Sequence, residues 1–381
     1  MKRKLLIIIV VLAAIIAVGI GAWFGHPLLL AGKALMGYGN GGKAGNPPVL
    51  APRPVVPISV QMDEICAELK ASKDPATTRE ILTRLRNLLN SLPPAVASRE
   101  VQSFLASNKD APTNLDLTIK PGGRLDDSSS LRVFLLDYLG LVDKQAAGVA
   151  AMQILSHYTT PDEWAVSLRN YAWAHPGPDG QDYLKTKAGE LLANAAWVKD
   201  PTAGFLEAFD TIVYSNDTTL TPALSALVRD KDNRAAGHAA YLAMDRLVID
   251  SPTPMLKELV AQPDLMKGRE LTRANFVARA DLGQPDQRDL VEQYLLDPSR
   301  DPQELATFAA LYPNMNYMIS NNLLTQTPTP TEAMLVQRDR DALKAVEQWQ
   351  QDPRFKQLQP LLNQMQQRLG VFVQEAAADG H

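Results

Sequence analysis

The side chains able to do chemistry are few and dispersed. The five histidines are His26, His157, His175, His238 and His381, and no two stand three or four residues apart, the spacing that sets two imidazoles on one helix face for a metal. Acidic pairs occur at Asp126-Asp127, at Asp162-Glu163, and three residues apart at Glu207 and Asp210. Two carboxylates divide acid and base roles only where one cleft gives them different environments. Here the neighbouring residues favour structural roles. Asp126 and Asp127 precede Ser128-Ser129-Ser130 and read as helix-entry caps. Asp162 and Glu163 fall in a first helical turn, where the helix dipole favours acids. Glu207 and Asp210 flank Phe209 in the manner of an exposed face.

The remaining candidates read the same way. His157 and His175 stand at helix ends, His175 just before Pro176-Gly177-Pro178. His238 follows Arg234 by four residues on an Ala-rich helix, at a solvent edge or satisfied inside. Cys66, in Ile65-Cys66-Ala67, falls on the apolar side of a helix and reads as a small buried hydrophobe. A single cysteine excludes an intrachain disulfide and a Cys-cluster metal site. There is no G-x-S-x-G, no Walker loop and no dinucleotide fingerprint, and Gly39-Asn40-Gly41-Gly42 resembles a phosphate loop in composition only. No catalytic, cofactor-binding or metal-ligating residue is therefore assigned, no cofactor is expected, and the chain reads as a protein without catalysis of its own.

The elements that carry these residues follow from composition and pattern. The 381 residues are 46% hydrophobic and 21% charged, which is globular rather than disordered. Aromatics are only 6%, so the core must be built from Ala and Leu. Net charge is -4, but residues 1–60 hold six cations and no acid; the other 32 Lys and Arg face all 42 Asp and Glu, a charge of -10. So acidic a body argues against a nucleic-acid partner.

Leu5 to Phe24 is a run of 20 uncharged residues. As a helix it spans about 30 Å, the thickness of the bilayer's hydrocarbon. Lys2-Arg3-Lys4 precede it and hold that end in the cytoplasm, and Trp23 suits the far interface. The reading is a single-pass anchor in a bacterial inner membrane, with the body periplasmic. A cleaved signal is the alternative, but the run exceeds a signal core and resumes at Leu28-Leu29-Leu30. Residues 37–57 are rich in Gly and then Pro and predict a spacer.

From residue 59 onward, apolar residues recur at helical spacing, as in Ile81, Leu82, Leu85, Leu88, Leu89 and Leu92. A capping residue followed by Pro marks helix starts at Asp74, Thr160, Asp200, Thr221, Thr253, Asp301, Thr329 and Asp352. Thr160-Pro161-Asp162-Glu163 adds a capping box. Leu115-Asp116-Leu117-Thr118-Ile119 alternates like a strand but has no partner, and reads as loop. Leu227-Val228, Leu259-Val260 and Tyr294-Leu295 recur at 32 and 35 residues, and Leu242, Phe276 and Phe308 at 34 and 32. Two helices repeating at one period predict an α-solenoid.

Leu220 to Leu242 resembles a HEAT repeat, with a Leu-rich first helix, a turn holding Asp230 and Asp232, then Arg234 and an Ala-rich second helix. The next two units depart from that pattern at Leu265–Glu270 and Pro298–Pro302. The resemblance implies scaffolding and partner binding, and no catalytic residue.

The expected organisation is an anchor at 1–36, with its span at about 5–24, a tether at 37–58, a helical subdomain at 59–107, a loop at 108–128, HEAT-like repeats at 129–351, a capping helix at 352–375 and a disordered tail at 376–381. The cap is read from Phe355, Leu358, Leu361, Leu362, Met365, Leu369 and Phe372 on one face. The expected fold class is all-α, and the expected function is a membrane-anchored scaffold or adaptor for a protein or peptide partner. A cell-envelope glycan lyase or hydrolase is the alternative, which needs His157, His175 or a carboxylate pair to meet Arg or Tyr in one groove.

Overall fold

A computed structural model describes residues 56–316, 320–326 and 329–378. The expected membrane span, most of the tether and residues 379–381 lie outside them. Among the described residues the fold is all-α, and no helix is long and apolar enough to cross a membrane.

The first three helices are α1 (Ile58–Ala71), α2 (Pro75–Asn90) and α3 (Pro94–Ala106). Asp74 caps α2 as its sequence predicts, accepting from the Thr77 N–H at 2.8 Å, with Pro75 in the first turn. Ile81, Leu82, Leu85 and Leu89 form the buried stripe of α2. Leu85 and Leu89 are wholly enclosed, and each such burial contributes roughly 1.5–3 kcal/mol. Cys66 is buried with Met62, Ile65 and Leu69, and that burial pushes its thiol up from the usual range.

Residues 107–130 form a folded loop. Leu115, Leu117 and Leu125 are buried, and two isolated bridges, Pro112 to Ser130 and Ile119 to Leu125, fold the segment on itself. It forms no sheet, but the strand-like pattern does find a partner, contrary to the expectation: Thr118 and Lys120 exchange backbone hydrogen bonds with Arg124, Asp126 and Asp127 across the turn at Pro121–Gly123.

The middle of the chain forms α4 (Leu131–Val142), α5 (Lys144–Leu155), α6 (Pro161–Ala174), α7 (Pro178–Ala193), and the short helices α8 (Ala195–Lys199), α9 (Ala203–Glu207) and α10 (Asp210–Tyr214). Every residue of α6 from Asp162 to Ala172 is buried, because α4, α5, α7 and α9 surround it. A helix enclosed on all sides must find partners for each polar group it carries. Asn170 Nδ2 donates to the Leu136 carbonyl at 2.8 Å. Gly140 of α4 makes that contact possible, since a Cβ there would collide with the Asn170 carboxamide. The capping box at Thr160 is one-sided: Thr160 accepts from the Glu163 N–H at 3.2 Å, but the Glu163 carboxylate pairs with Arg132.

Six helices follow: α11 (Thr221–Arg229), α12 (Arg234–Asp250), α13 (Pro252–Ala261), α14 (Glu270–Val277), α15 (Pro285–Leu296) and α16 (Pro302–Leu311). α11 packs on α12, α13 on α15 and α14 on α16, an arrangement consistent with a solenoid-like fold. Phe276 and Phe308 are enclosed, but Leu242 is only half-buried. Its neighbour Tyr241 makes the contact instead, stacking on Phe276 with ring centroids 5.3 Å apart. Tyr241 and Phe276, on α12 and α14, thus meet where the apolar pattern marks Leu242.

Four predicted caps sit elsewhere. Thr202 rather than Asp200 caps α9, Thr221 lies within α11, α13 begins after Ser251, and Thr331 rather than Thr329 caps α17 (Glu332–Gln351). Three of these corrections have one cause: a second Ser or Thr stands two residues away and holds the helix-entry position. For Thr221, the preceding 3₁₀ turn Thr218–Leu220 carries the chain into the helix.

The C-terminal unit is α17 packed on α18 (Gln359–Ala378). Asp352 opens a 3₁₀ stretch, Pro353–Leu358, so the expected single cap helix is two pieces. Phe355, Leu362, Met365 and Leu369 form its buried face. Ala376, where a disordered tail was expected to start, is buried and still helical.

Candidate functional site

Between α16 and α17 the chain runs back across earlier helices, with residues 312–316 and 320–326 non-helical. Side chains of the array hold this strap largely by its backbone. Arg279, just past α14, is fixed by Asp245 of α12 at 2.5 and 2.7 Å. It then donates to the carbonyls of Asn316 at 2.7 Å and Asn314 at 3.4 Å. The Asn314 N–H donates to the Ala278 carbonyl at 2.8 Å. Asn321 Nδ2 donates to the Ile119 carbonyl, 202 positions earlier. Leu323 is wholly buried, its backbone so close to Gly123 that a Cβ on Gly123 would clash with the Leu323 carbonyl.

The centre of this contact is Asp210, at the start of α10 and 2% exposed. Its Oδ2 accepts from the backbone N–H groups of Leu324 at 2.6 Å and Thr325 at 2.8 Å. Its Oδ1 accepts from Arg246 Nη1 at 2.6 Å and from the Thr325 hydroxyl. Arg246 also donates to that hydroxyl at 3.0 Å. Burial, reinforced by the charge of Asp210, holds the Glu207 carboxyl at about 7 instead of its usual 4.5. Burial also raises Asp250, with Arg246 opposing. Asp210 is thus a saturated anchor: both oxygens are committed, to the strap and to Arg246.

This overturns the exposed-face expectation for Glu207 and Asp210. That expectation assumes one continuous helix, whereas the chain breaks at Ala208-Phe209 into α9 and α10 and turns Asp210 inward. Asp126 and Asp127 are not caps either. Ser130 caps α4, while Asp127 pairs with Arg79 at 2.7 Å and Asp126 with Lys120 at 2.5 Å. Asp162 and Glu163 do lie in the first turn of α6. Asp162 accepts from Thr202 Oγ1 at 2.5 Å and Gly204 N–H at 2.9 Å, and Glu163 takes Arg132 Nε at 2.6 Å.

The three histidines among the described residues do not converge, and His26 and His381 lie outside them. His157 borders a groove of about 710 Å³ between α3 and α5, beside Arg132. That arginine is engaged by Glu163 and by the Leu105 carbonyl. His175 ends α6 and stacks on Tyr171 at 4.3 Å, and His238 is exposed on α12. Among the described residues no group of three or more His, Cys, Asp or Glu is placed to hold a metal.

What the sequence reading missed is a set of buried ion pairs between alternate helices, each skipping the helix between. Arg132 pairs with Glu163, Arg169 with Asp137, Arg246 with Asp210, Arg279 with Asp245 and Arg273 with Glu304. Their separations are 31 to 36 residues, close to the period of the apolar steps. The available signal was a lone charge inside an apolar helix, as in Leu131-Arg132-Val133 and Leu136-Asp137-Tyr138. The chain matches no protein-family model, no curated protein and no solved structure.

Proposed function

We propose that this chain is a HEAT-like helical scaffold that binds an extended polypeptide partner on the periplasmic side of a bacterial inner membrane. The anchor rests on the uncharged run Leu5 to Phe24 behind Lys2-Arg3-Lys4, with residues 37–58 as the tether. The observation that carries the binding reading is the strap. The array already holds a non-helical stretch of chain, through backbone groups met by Asp210, Arg279 and Ala278. Recognition of backbone by pre-positioned polar groups is a general way to bind extended peptides.

The test uses the full chain in detergent micelles against an array of overlapping 12-residue peptides and scrambled controls of equal composition. A minority of sequences should bind, and their scrambles should not. Uniform binding, or none, would reject the reading. An alkaline phosphatase fused after His381 should be active in a bacterial host, since that enzyme matures only outside the cytoplasm; an inactive fusion would reject the orientation.

A further inference from the structure

We propose that the cavity between α2, α4 and the loop at 120–127 receives the C-terminal carboxylate of a partner polypeptide, an assignment that rests on the scaffold reading above. The cavity is about 670 Å³. Its walls combine three kinds of group that a chain terminus requires.

The first is uncommitted positive charge. Four cations line the cavity on an otherwise acidic body: Arg79, Arg86, Lys120 and Arg124. Two are consumed locally, Arg79 by Asp127 and Lys120 by Asp126. Arg86 and Arg124 have no carboxylate partner among the described residues. Arg86 is half-buried, its guanidinium 4.9 Å from the centre of the Phe134 ring. A planar guanidinium matches a carboxylate through two parallel N–H bonds, and partial burial strengthens that pairing.

The second is an apolar wall for the last side chain, formed by Leu82, Leu125 and Phe134. The third is a buried acceptor that lacks a donor. Asp137 borders the cavity and is 1% exposed. Its Oδ1 accepts from Arg169 and from the Leu125 N–H, but its Oδ2 has no hydrogen-bond partner among the described residues. An enclosed carboxylate oxygen without a donor is unusual. The amide N–H of a terminal residue supplies one, and Arg169 offsets the charge of Asp137 against the incoming carboxylate. The position agrees with this use: the same loop receives a non-helical segment of the protein itself, at Ile119 and Gly123.

The experiment measures anisotropy of fluorescein-labelled random hexapeptides ending in Leu, as free acids and as C-terminal amides, on the full chain in micelles. The free-acid pool should bind about tenfold tighter or more. Arg86→Gln and Arg124→Gln should each remove most of that difference. Arg124 is exposed, so its variant keeps the fold, which a thermal melt confirms. N-acetyl-leucine should compete only weakly. Equal binding of acid and amide pools would overturn the proposal while leaving the scaffold reading intact. An acid preference that survives both arginine variants would also overturn it, because the site would lie elsewhere. Displacement by N-acetyl-leucine as effective as by peptide would make this a small-molecule site and reject the polypeptide assignment. Binding of neither pool rejects it outright.

Discussion

Arg169 Nη1 lies 2.7 Å from Asp137 Oδ1, and the two side chains are 0% and 1% exposed. Burial lowers the Arg169 pKa from its ordinary value, and Asp137 opposes that effect. A buried ion pair adds little over an apolar pair, but breaking one leaves an uncompensated charge. Asp137→Ala should therefore cost about 3–5 kcal/mol in urea denaturation. Asp182→Ala, which breaks an exposed pair with Lys185, should cost less than about 1 kcal/mol. Similar losses for both would mean that burial is not what makes the first pair matter.

Gly140 lets α4 and α6 approach across Asn170. Gly140→Ala should destabilise by about 1–3 kcal/mol, although alanine is the better helix former. A stabilised variant would show that the two helices are not in close contact.

The Glu207 carboxyl titrates at about 7 in the folded protein and near 4.5 unfolded. The folded state thus binds its proton more tightly, so this stability is complete below the unfolded value and is lost as pH rises through about 7. Unfolding free energy should fall by about 2 kcal/mol between pH 5 and pH 8. Glu207→Gln should flatten that slope; an unchanged profile would assign it to other groups.

Thr325 bonds both Asp210 and Arg246. Thr325→Val should speed hydrogen exchange at the Leu324 and Thr325 amides by about tenfold. Exchange in the core of α2 should not change. Uniform acceleration would mean that the strap does not open by itself.

The helical fold was legible because periodicity and caps are local. Leu85 and Leu89 announce a buried face, and Asp74-Pro75 marks where its helix begins. The strap was not legible, because nothing around Thr325 reveals that its partner is Asp210, 115 positions away. Tyr241 escaped for a smaller reason: apolar counting selects Leu242, but the aromatic beside it is long enough to reach Phe276. The ion pairs were half-visible. Arg169 stands inside an apolar helix, yet only three dimensions bring it to Asp137.

A stack in which each hairpin touches only its neighbours melts from its ends, one unit at a time. The hydrogen bond from Asn321 to Ile119 joins distant positions, as does the packing of Leu323 on Gly123. It turns a spring into a hoop. The helices between residues 119 and 321 should therefore unfold together, while α1–α3 and α17–α18 lie outside the link and can fray separately, and closing the hoop should be the slow event of folding.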